Sequence, residues 1–296
     1  MDWVSFNGIG IGKIYLDSNF VNIFGLEIKW YAVIICFGLL ISLFLGVLNS
    51  NKFNVEKNTI FDILPIALFF GVVGCRVYYV VFNLKEYRSG GLLKIFNIRE
   101  GGLAIYGGII FVFLSILIYC KVKKIEFLPI ADLISAYLLL GQSIGRWGNF
   151  VNIEAYGDPT NLPWGMYSNK IFGGLVAVHP TFFYESLWCF IGFLVLFFSA
   201  KKRKFNGQFF LIYFSWYGFE RFFVEGIRAD SLWLVENVLK VSQLLSFVLF
   251  IVATSLHIYV LFFYLKKPNV KKWLLIKKDK GVLKDGRDYW WQEDFY

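Results

Sequence analysis

Three arginines interrupt long apolar stretches of this chain: Arg76, Arg146 and Arg221. An arginine near the middle of a bilayer costs at least ~2.5–3.5 kcal/mol on insertion scales. Such residues imply a compensating partner or an anionic ligand. The sharpest constellation is Tyr217, Arg221, Glu225 and Arg228, at spacings of four, four and three. On a helix they share an arc of about 80°. Two cations then flank one carboxylate. In an anion clamp, Glu225 would orient the guanidinium forks and the forks would hold a phosphate bidentately. A purely structural salt-bridge ladder would use the same residues.

A second cluster lies at the end of another apolar run. Arg146, Asn149, Asn152 and Glu154 fall within nine residues. They suit either a polar site or the hydrogen bonds that terminate a helix. Gly141 and Gly145 offer a small-residue face for close helix approach. A third segment, Arg99 to Gly108, brackets Tyr106 with the pairs Gly101-Gly102 and Gly107-Gly108. Glycine there permits positive φ and close backbone approach. Arg76, Tyr79 and Asn83 share one helical face, a candidate buried polar stripe. His179-Pro180 precedes Tyr184-Glu185, with proline suited to a helix start. His179 reads as a capping or packing histidine and His257 as structural.

Helices must position these groups. Apolar runs of ~20 residues span ~30 Å of hydrocarbon. Seven occur, at 28–49, 60–82, 103–120, 127–150, 181–200, 207–225 and 241–265. Helices are expected because an open sheet would leave backbone groups unpaired in lipid. The fold class is therefore an all-α integral membrane protein with seven transmembrane helices. Connecting and terminal segments on one side carry eighteen Lys and Arg, and those on the other side nine. The richer side is expected to be cytoplasmic, which puts the N-terminus outside and the C-terminus inside. Each of the three arginines lies fourteen residues after Asp62, Asp132 or Gly207. At ~1.5 Å per residue that is one common level, ~21 Å up. Asp62 and Asp132 would favour the positive ends of their own helices.

The domain plan is an outer N-terminal arm (1–27) and a seven-helix membrane domain (28–265). Inserted in it are an outer arm (84–102) and an irregular outer head (151–180). A basic cytoplasmic tail (266–296) follows, suited to anionic lipid.

Of the 296 residues, 57% are apolar and only 17% charged. That balance excludes an ordinary soluble enzyme, a disordered chain and a nucleic-acid-binding module. The net charge of +9 reads mostly as a topology signal. Cys36, Cys75, Cys120 and Cys189 form no CxxC and read as four buried, inert thiols. Two histidines, far apart, do not make a zinc site. No metal and no cofactor is expected. The first residues lack the basic region of a cleaved signal peptide.

Together these segments resemble the phosphatidylglycerol–prolipoprotein diacylglyceryl transferase family of bacteria. The most specific match is the run of Gly145, Arg146, Gly148, Asn149, Phe150, Asn152, Glu154 and Gly157. His179-Pro180 with Tyr184-Glu185 matches a second block, and Arg221 to Arg228 a third. Trp30-Tyr31, Arg76 with Tyr79, and the two glycine pairs match others. The blocks run in order from about residue 30 to 230. The resemblance implies transfer of a diacylglyceryl group from phosphatidylglycerol to the lipobox cysteine thiol of a preprolipoprotein. The products would be a thioether and glycerol phosphate. It implies a bacterial inner-membrane enzyme with its site toward the outer leaflet.

Within that reading Arg146 and Arg221 hold the phosphate, and Glu225 and Asn149 orient them. Tyr31, Glu154 and Tyr106 line the reacting centre. Arg76, Asn152, Gly157, Tyr217, Arg228, Gly107 and Gly108 bind substrate. The family usually has a histidine where this chain has Tyr106. A tyrosine with pKa ≈ 10 is a poor base at neutral pH, so the thiol's proton acceptor stays open among Glu154, Tyr106 and a lipid phosphate oxygen. Two other classes use some of the same features: a transporter or flippase for an anionic lipid or metabolite, and a seven-helix receptor.

Overall fold

The computed structural model describes residues 1–23, 26–84, 87, 93–96, 101–229, 233–235, 239–267 and 270–276. Among them are seven long helices: α1 (Trp30–Asn49), α2 (Lys57–Phe82), α3 (Ile105–Lys123), α4 (Phe127–Asn152), α5 (Thr181–Ser199), α6 (Gln208–Ile227) and α7 (Val241–Tyr259). Each falls on an expected apolar run. α7 continues into a π-helical segment, Val260–Tyr264. Six of the helices are long and apolar enough to cross a membrane. α6 is as long but falls outside that set, because Glu220, Arg221 and Glu225 lie within it.

α4 is the hub, packed against α1, α5 and α6, while α2 pairs with α3 and α6 with α7. Its Leu133, Ala136, Leu139 and Leu140 share one core with Cys189, Phe193 and Leu196 of α5 and Phe209 and Tyr213 of α6. Bare glycine surface sets the close contacts. A Cβ on Gly141 would lie 3.2 Å from Ser42 Oγ of α1, so the small-residue face does what its spacing suggested. A Cβ on Gly108 would lie 2.6 Å from Cys75 Sγ, and one on Gly107 would run into the backbone of Gly74 and the side chain of Tyr78.

Asp132 departs from expectation. It does not serve the start of its own helix. Its carboxylate caps α6 instead, accepting from Gly207 N (2.8 Å) and Phe210 N (3.0 Å), and pairs with Arg203 Nη1 at 2.6 Å. Asp62 accepts from Tyr119 Oη at 2.7 Å.

The chain is mostly helical, as expected of an all-α membrane protein, and small sheets accompany the helices. β1 (Asp2–Phe6), β2 (Ile11–Leu16) and β5 (Tyr167–Ser168) form an antiparallel sheet in the order β2-β1-β5. Val4 pairs with both Ile14 and Ser168. The first strand is thus part of the 151–180 head, and Val4, Ile153, Met166, Ile171, Val178 and Phe182 make a common small core. The polar turn residues of 151–180 signalled irregularity, yet the strand that completes the head lies over 160 residues upstream. β3 (Asn19–Ile23) and β4 (Leu26–Lys29) form a hairpin leading into α1, and β6 (Trp233–Val235) pairs with β7 (Leu239–Lys240) before α7. The cysteines also differ from expectation: Cys120 and Cys189 are buried, but Cys75 is half-buried and Cys36 exposed, since α1 turns much apolar surface outward. Arg99 and most of the 84–102 and 266–296 segments lie outside the described residues.

Candidate functional site

Two reciprocal clasps align the helices that carry the charged residues. Ser143 Oγ of α4 donates to Ser186 O of α5 at 2.8 Å, and Ser186 Oγ returns the bond to Ser143 O at 2.8 Å. Trp188 of α5 and Trp216 of α6 each donate an indole N–H to the other's carbonyl at 3.0 Å, with their rings stacked 4.5 Å apart. Gly192 leaves the room for Trp216, whose Nε1 would lie 2.5 Å from a Cβ there. Such paired bonds fix axial register between helices in apolar surroundings, where a lost partner is costly.

Glu185 sits between the clasps. Its Oε2 accepts from Arg146 Nη2 of α4 and from Arg221 Nη1 of α6, the latter at 3.3 Å. Arg221 Nη2 also pairs with Glu225 Oε2 at 2.6 Å, one helical turn on. Three helices thereby meet on one carboxylate whose side chain is 1% exposed. A buried carboxylate needs such pairing. Each guanidinium has five N–H donors in a planar fork, so neither is exhausted by these contacts. Tyr217 stacks on Tyr213 with ring planes 8° apart, and Tyr213 Oη accepts from Gln142 Nε2 at 2.9 Å. Glu220 is 5% exposed, with no hydrogen-bond donor on either carboxylate oxygen among the described residues.

The C-terminal end of α4 forms an adjoining polar group. Asn149 Nδ2 and Asn152 Nδ2 donate to Glu154 Oε1 at 2.9 and 3.3 Å. Ile153 closes the helix in the left-handed region, φ 55°. Residues 153–156 and Ala229 line an open cleft of about 290 Å³. Gly157 is buried: a Cβ there would lie 2.8 Å from His179 Cβ and 2.9 Å from Ile227 O. Its backbone bridges to Arg228. Lys240 Nζ closes α6 by donating to the carbonyls of Glu225 (2.8 Å), Gly226 (3.1 Å) and Arg228 (2.8 Å). These are the orphan acceptors of a helix end.

The structure therefore brings Arg146, Arg221, Glu225 and Tyr217 together, and Asn149, Asn152 and Glu154 beside the cleft. Arg76 occupies a different setting from the other two arginines. Its Nε donates to Ile95 O (2.7 Å), and its Nη1 to Gly101 O (2.9 Å) and Gly102 O (3.1 Å). Gly107 and Gly108 are buried against α2. Tyr106, 48% exposed, stands at the start of α3. Tyr31 lays its ring on the bare backbone of Gly148, where a Cβ would lie 2.7 Å from Cδ2. His179 faces Tyr184 Oη at 3.3 Å, a packing role as expected.

Sequence reasoning missed Glu185, Glu220 and Lys240. Glu185 stood in a recognised block, but its two arginines are 39 and 36 residues away, and nothing local announces that pairing. Glu220 adjoins Arg221, yet falls off the arc shared by Tyr217, Arg221 and Glu225.

Residues 18–259 match the family model described as prolipoprotein diacylglyceryl transferase. The chain is 47% identical over 244 residues to a protein of Finegoldia magna, covering 82% of this chain and 95% of that one. It is 39% identical over 245 residues to one of Clostridioides difficile (83% and 96% covered). It is 38% identical over 258 residues to one of Listeria welshimeri (85% and 92% covered). All three bear the name phosphatidylglycerol–prolipoprotein diacylglyceryl transferase.

Proposed function

The chain belongs to the prolipoprotein diacylglyceryl transferase family and is a transferase that moves the diacylglyceryl group of phosphatidylglycerol to prolipoprotein; from that premise we propose how its residues do so. Arg146 and Arg221 hold the lipid phosphate. The observation that carries this is the single carboxylate of Glu185 on which both guanidinia converge. It sets the two forks side by side while leaving donors for an anion. Glu225 fixes the far side of Arg221.

The acceptor is the lipobox cysteine of the preprolipoprotein. Its sulfur attacks the glyceryl carbon, the carbon–oxygen bond to phosphate breaks, and glycerol phosphate leaves. The arginines stabilise the charge gathering on that phosphate, the larger share of catalysis in such sites. Tyr31, Glu154 and Tyr106 line the reacting centre. The phenol of Tyr106 is a hydrogen-bond donor to phosphate or sulfur rather than a base. Asn149 and Asn152 hold Glu154 toward the cleft, and Tyr217 and Arg228 complete the wall. Arg76, Gly107, Gly108 and Gly157 act from behind, holding the backbone on which the binding groups stand.

All seven helices span the bacterial inner membrane. α6 is admissible because its charges face α4 and α5 rather than lipid. The cation bias of the connecting segments supports the head outside and the tail inside, with the site toward the outer leaflet. The test is thioether formation by the purified protein from labelled phosphatidylglycerol and a lipobox peptide. Labelled lipid that crosses a bilayer with no thioether formed would identify a transporter instead.

A further inference from the structure

Thioether formation releases the thiol's proton, and this chain has no histidine beside its arginine pair. The carboxylates differ in what they already hold. Glu185 Oε2 is tied to two guanidinia and Glu225 to one. Glu154 accepts from two amides. His179 faces Tyr184, and His257 lies beside Gln208 at the opposite end of α6. Of the described carboxylates Glu154, Glu185, Glu220 and Glu225, Glu220 alone is nine-tenths buried with no donor on either oxygen. Arg146 of α4, Glu185 and Cys189 of α5, Tyr217 and Arg221 of α6, and Arg228 just past its end are the described charged and titratable groups that interact electrostatically with it or with its neighbours. α7 packs on another face of α6, where Gly218 meets Ser246 and Phe250.

We propose that Glu220 takes the proton of the substrate thiol. The assignment rests on Arg146 and Arg221 holding the phosphate, because sulfur and the departing oxygen lie at the two ends of one in-line array. A carboxylate beside the arginines is then within a side chain's length of both. The S–H bond breaks and its proton goes to a Glu220 oxygen. The sulfur electron pair forms the S–C bond. The C–O bond breaks, its electrons passing to the phosphate oxygen, and glycerol phosphate forms as a dianion against Arg146 and Arg221. Glu220 then gives its proton to that dianion, which leaves as the monoanion with the carboxylate restored. A buried carboxylate without donors has more to gain from a proton than one in water, and the nearby cations favour the thiolate.

The experiment compares the full-length native protein, Glu220→Gln and Glu220→Asp in detergent with phosphatidylglycerol and a lipobox peptide, from pH 5.5 to 9. Glu220→Gln should lose about 100-fold or more at pH 7, the usual share of a general base. Its rate should then climb about tenfold per pH unit toward the thiol's own pKa of ~8.5, as preformed thiolate replaces the lost base. The KM for lipid should stay within about threefold. Glu220→Asp should recover part of the rate and keep the native profile. A native rate in Glu220→Gln, or a loss equal at every pH, overturns the proposal. If the Gln variant aggregates, the Asp variant decides: a lowered rate with the native profile supports the base, and an unchanged rate overturns it. Failure of the underlying phosphate assignment looks different, since Arg221→Lys and Arg146→Lys would then turn over normally while native Glu220 chemistry persists.

Discussion

Arg76 and the Arg146–Arg221 pair all stand deep in long helices, yet the chain compensates them in different ways. Arg76 gives its N–H groups to the carbonyls of Ile95, Gly101 and Gly102, close to the glycine-packed α2–α3 pair. Its guanidinium also lies over the Tyr87 ring at 5.4 Å, and its fork ties a connecting segment to a helix. Arg146 and Arg221 lean on a carboxylate from a third helix, and their forks retain donors. The first arrangement uses a cation as a fastener. The second uses carboxylates to hold cations ready for an anion. An arginine inside a membrane helix is thus read by its partners' chemistry rather than by its depth.

That contrast is open to breaking. The largest effect is expected at Glu185. Removing one partner of a buried ion pair costs about 3–5 kcal/mol, so Glu185→Ala should lower the melting temperature of the purified protein sharply and abolish transfer. An unchanged melting curve would mean that the two arginines do not depend on it. Next come Arg221→Lys and Arg146→Lys, which keep charge but lose the fork. Each should lose at least ~10-fold in transfer, about 1.4 kcal/mol, with the fold intact. Arg76→Lys should reduce transfer per folded molecule by only ~3-fold or less, under about 0.7 kcal/mol. A loss there as large as at Arg221 would erase the distinction.

The smallest effect is in the head. A hydrogen bond from Lys170, 2.8 Å from Asp2, holds the Asp2 carboxyl below the usual carboxylate range. A depressed folded value means that its stabilisation is present above pH ~4 and fades as pH falls through the folded value. The protection factor for hydrogen exchange at the β1–β5 pairing, taken relative to the intrinsic exchange rate at each pH, should therefore fall slightly on acidification, and Lys170→Met should remove that dependence.

Helix positions were legible because a hydrocarbon slab demands apolar runs of one length, and α1 to α7 fall on them. The Tyr217–Glu225 arc was legible because helical spacing converts directly into a shared face. What stayed hidden depends on contacts between distant segments. Glu185 reveals itself only once α4, α5 and α6 are clasped. Asp132 reads as a helix-start residue until Gly207 and Phe210 arrive to claim it. The fourteen-residue coincidence among Arg76, Arg146 and Arg221 suggested one common level, but spacing along one helix carries no information about the neighbours. The strands of the head escaped notice because β1 is five residues long, and its partner β5 only two. Neither is long enough to display an alternating pattern.

The pairing of Val4 with Ser168 also sets a timetable. β1 is made before the first four helices, and its second neighbour emerges about 160 residues later. At ~5–20 residues per second of synthesis, that is a wait of roughly 8–30 s. During that interval four helices are delivered to the bilayer while the edge of β1 stays open. The head is therefore among the last parts of the first two-thirds of the chain to close. A bulky fusion at Met1 would burden the strand through the whole delay, whereas one placed after residue 276 would leave the sheet's assembly untouched.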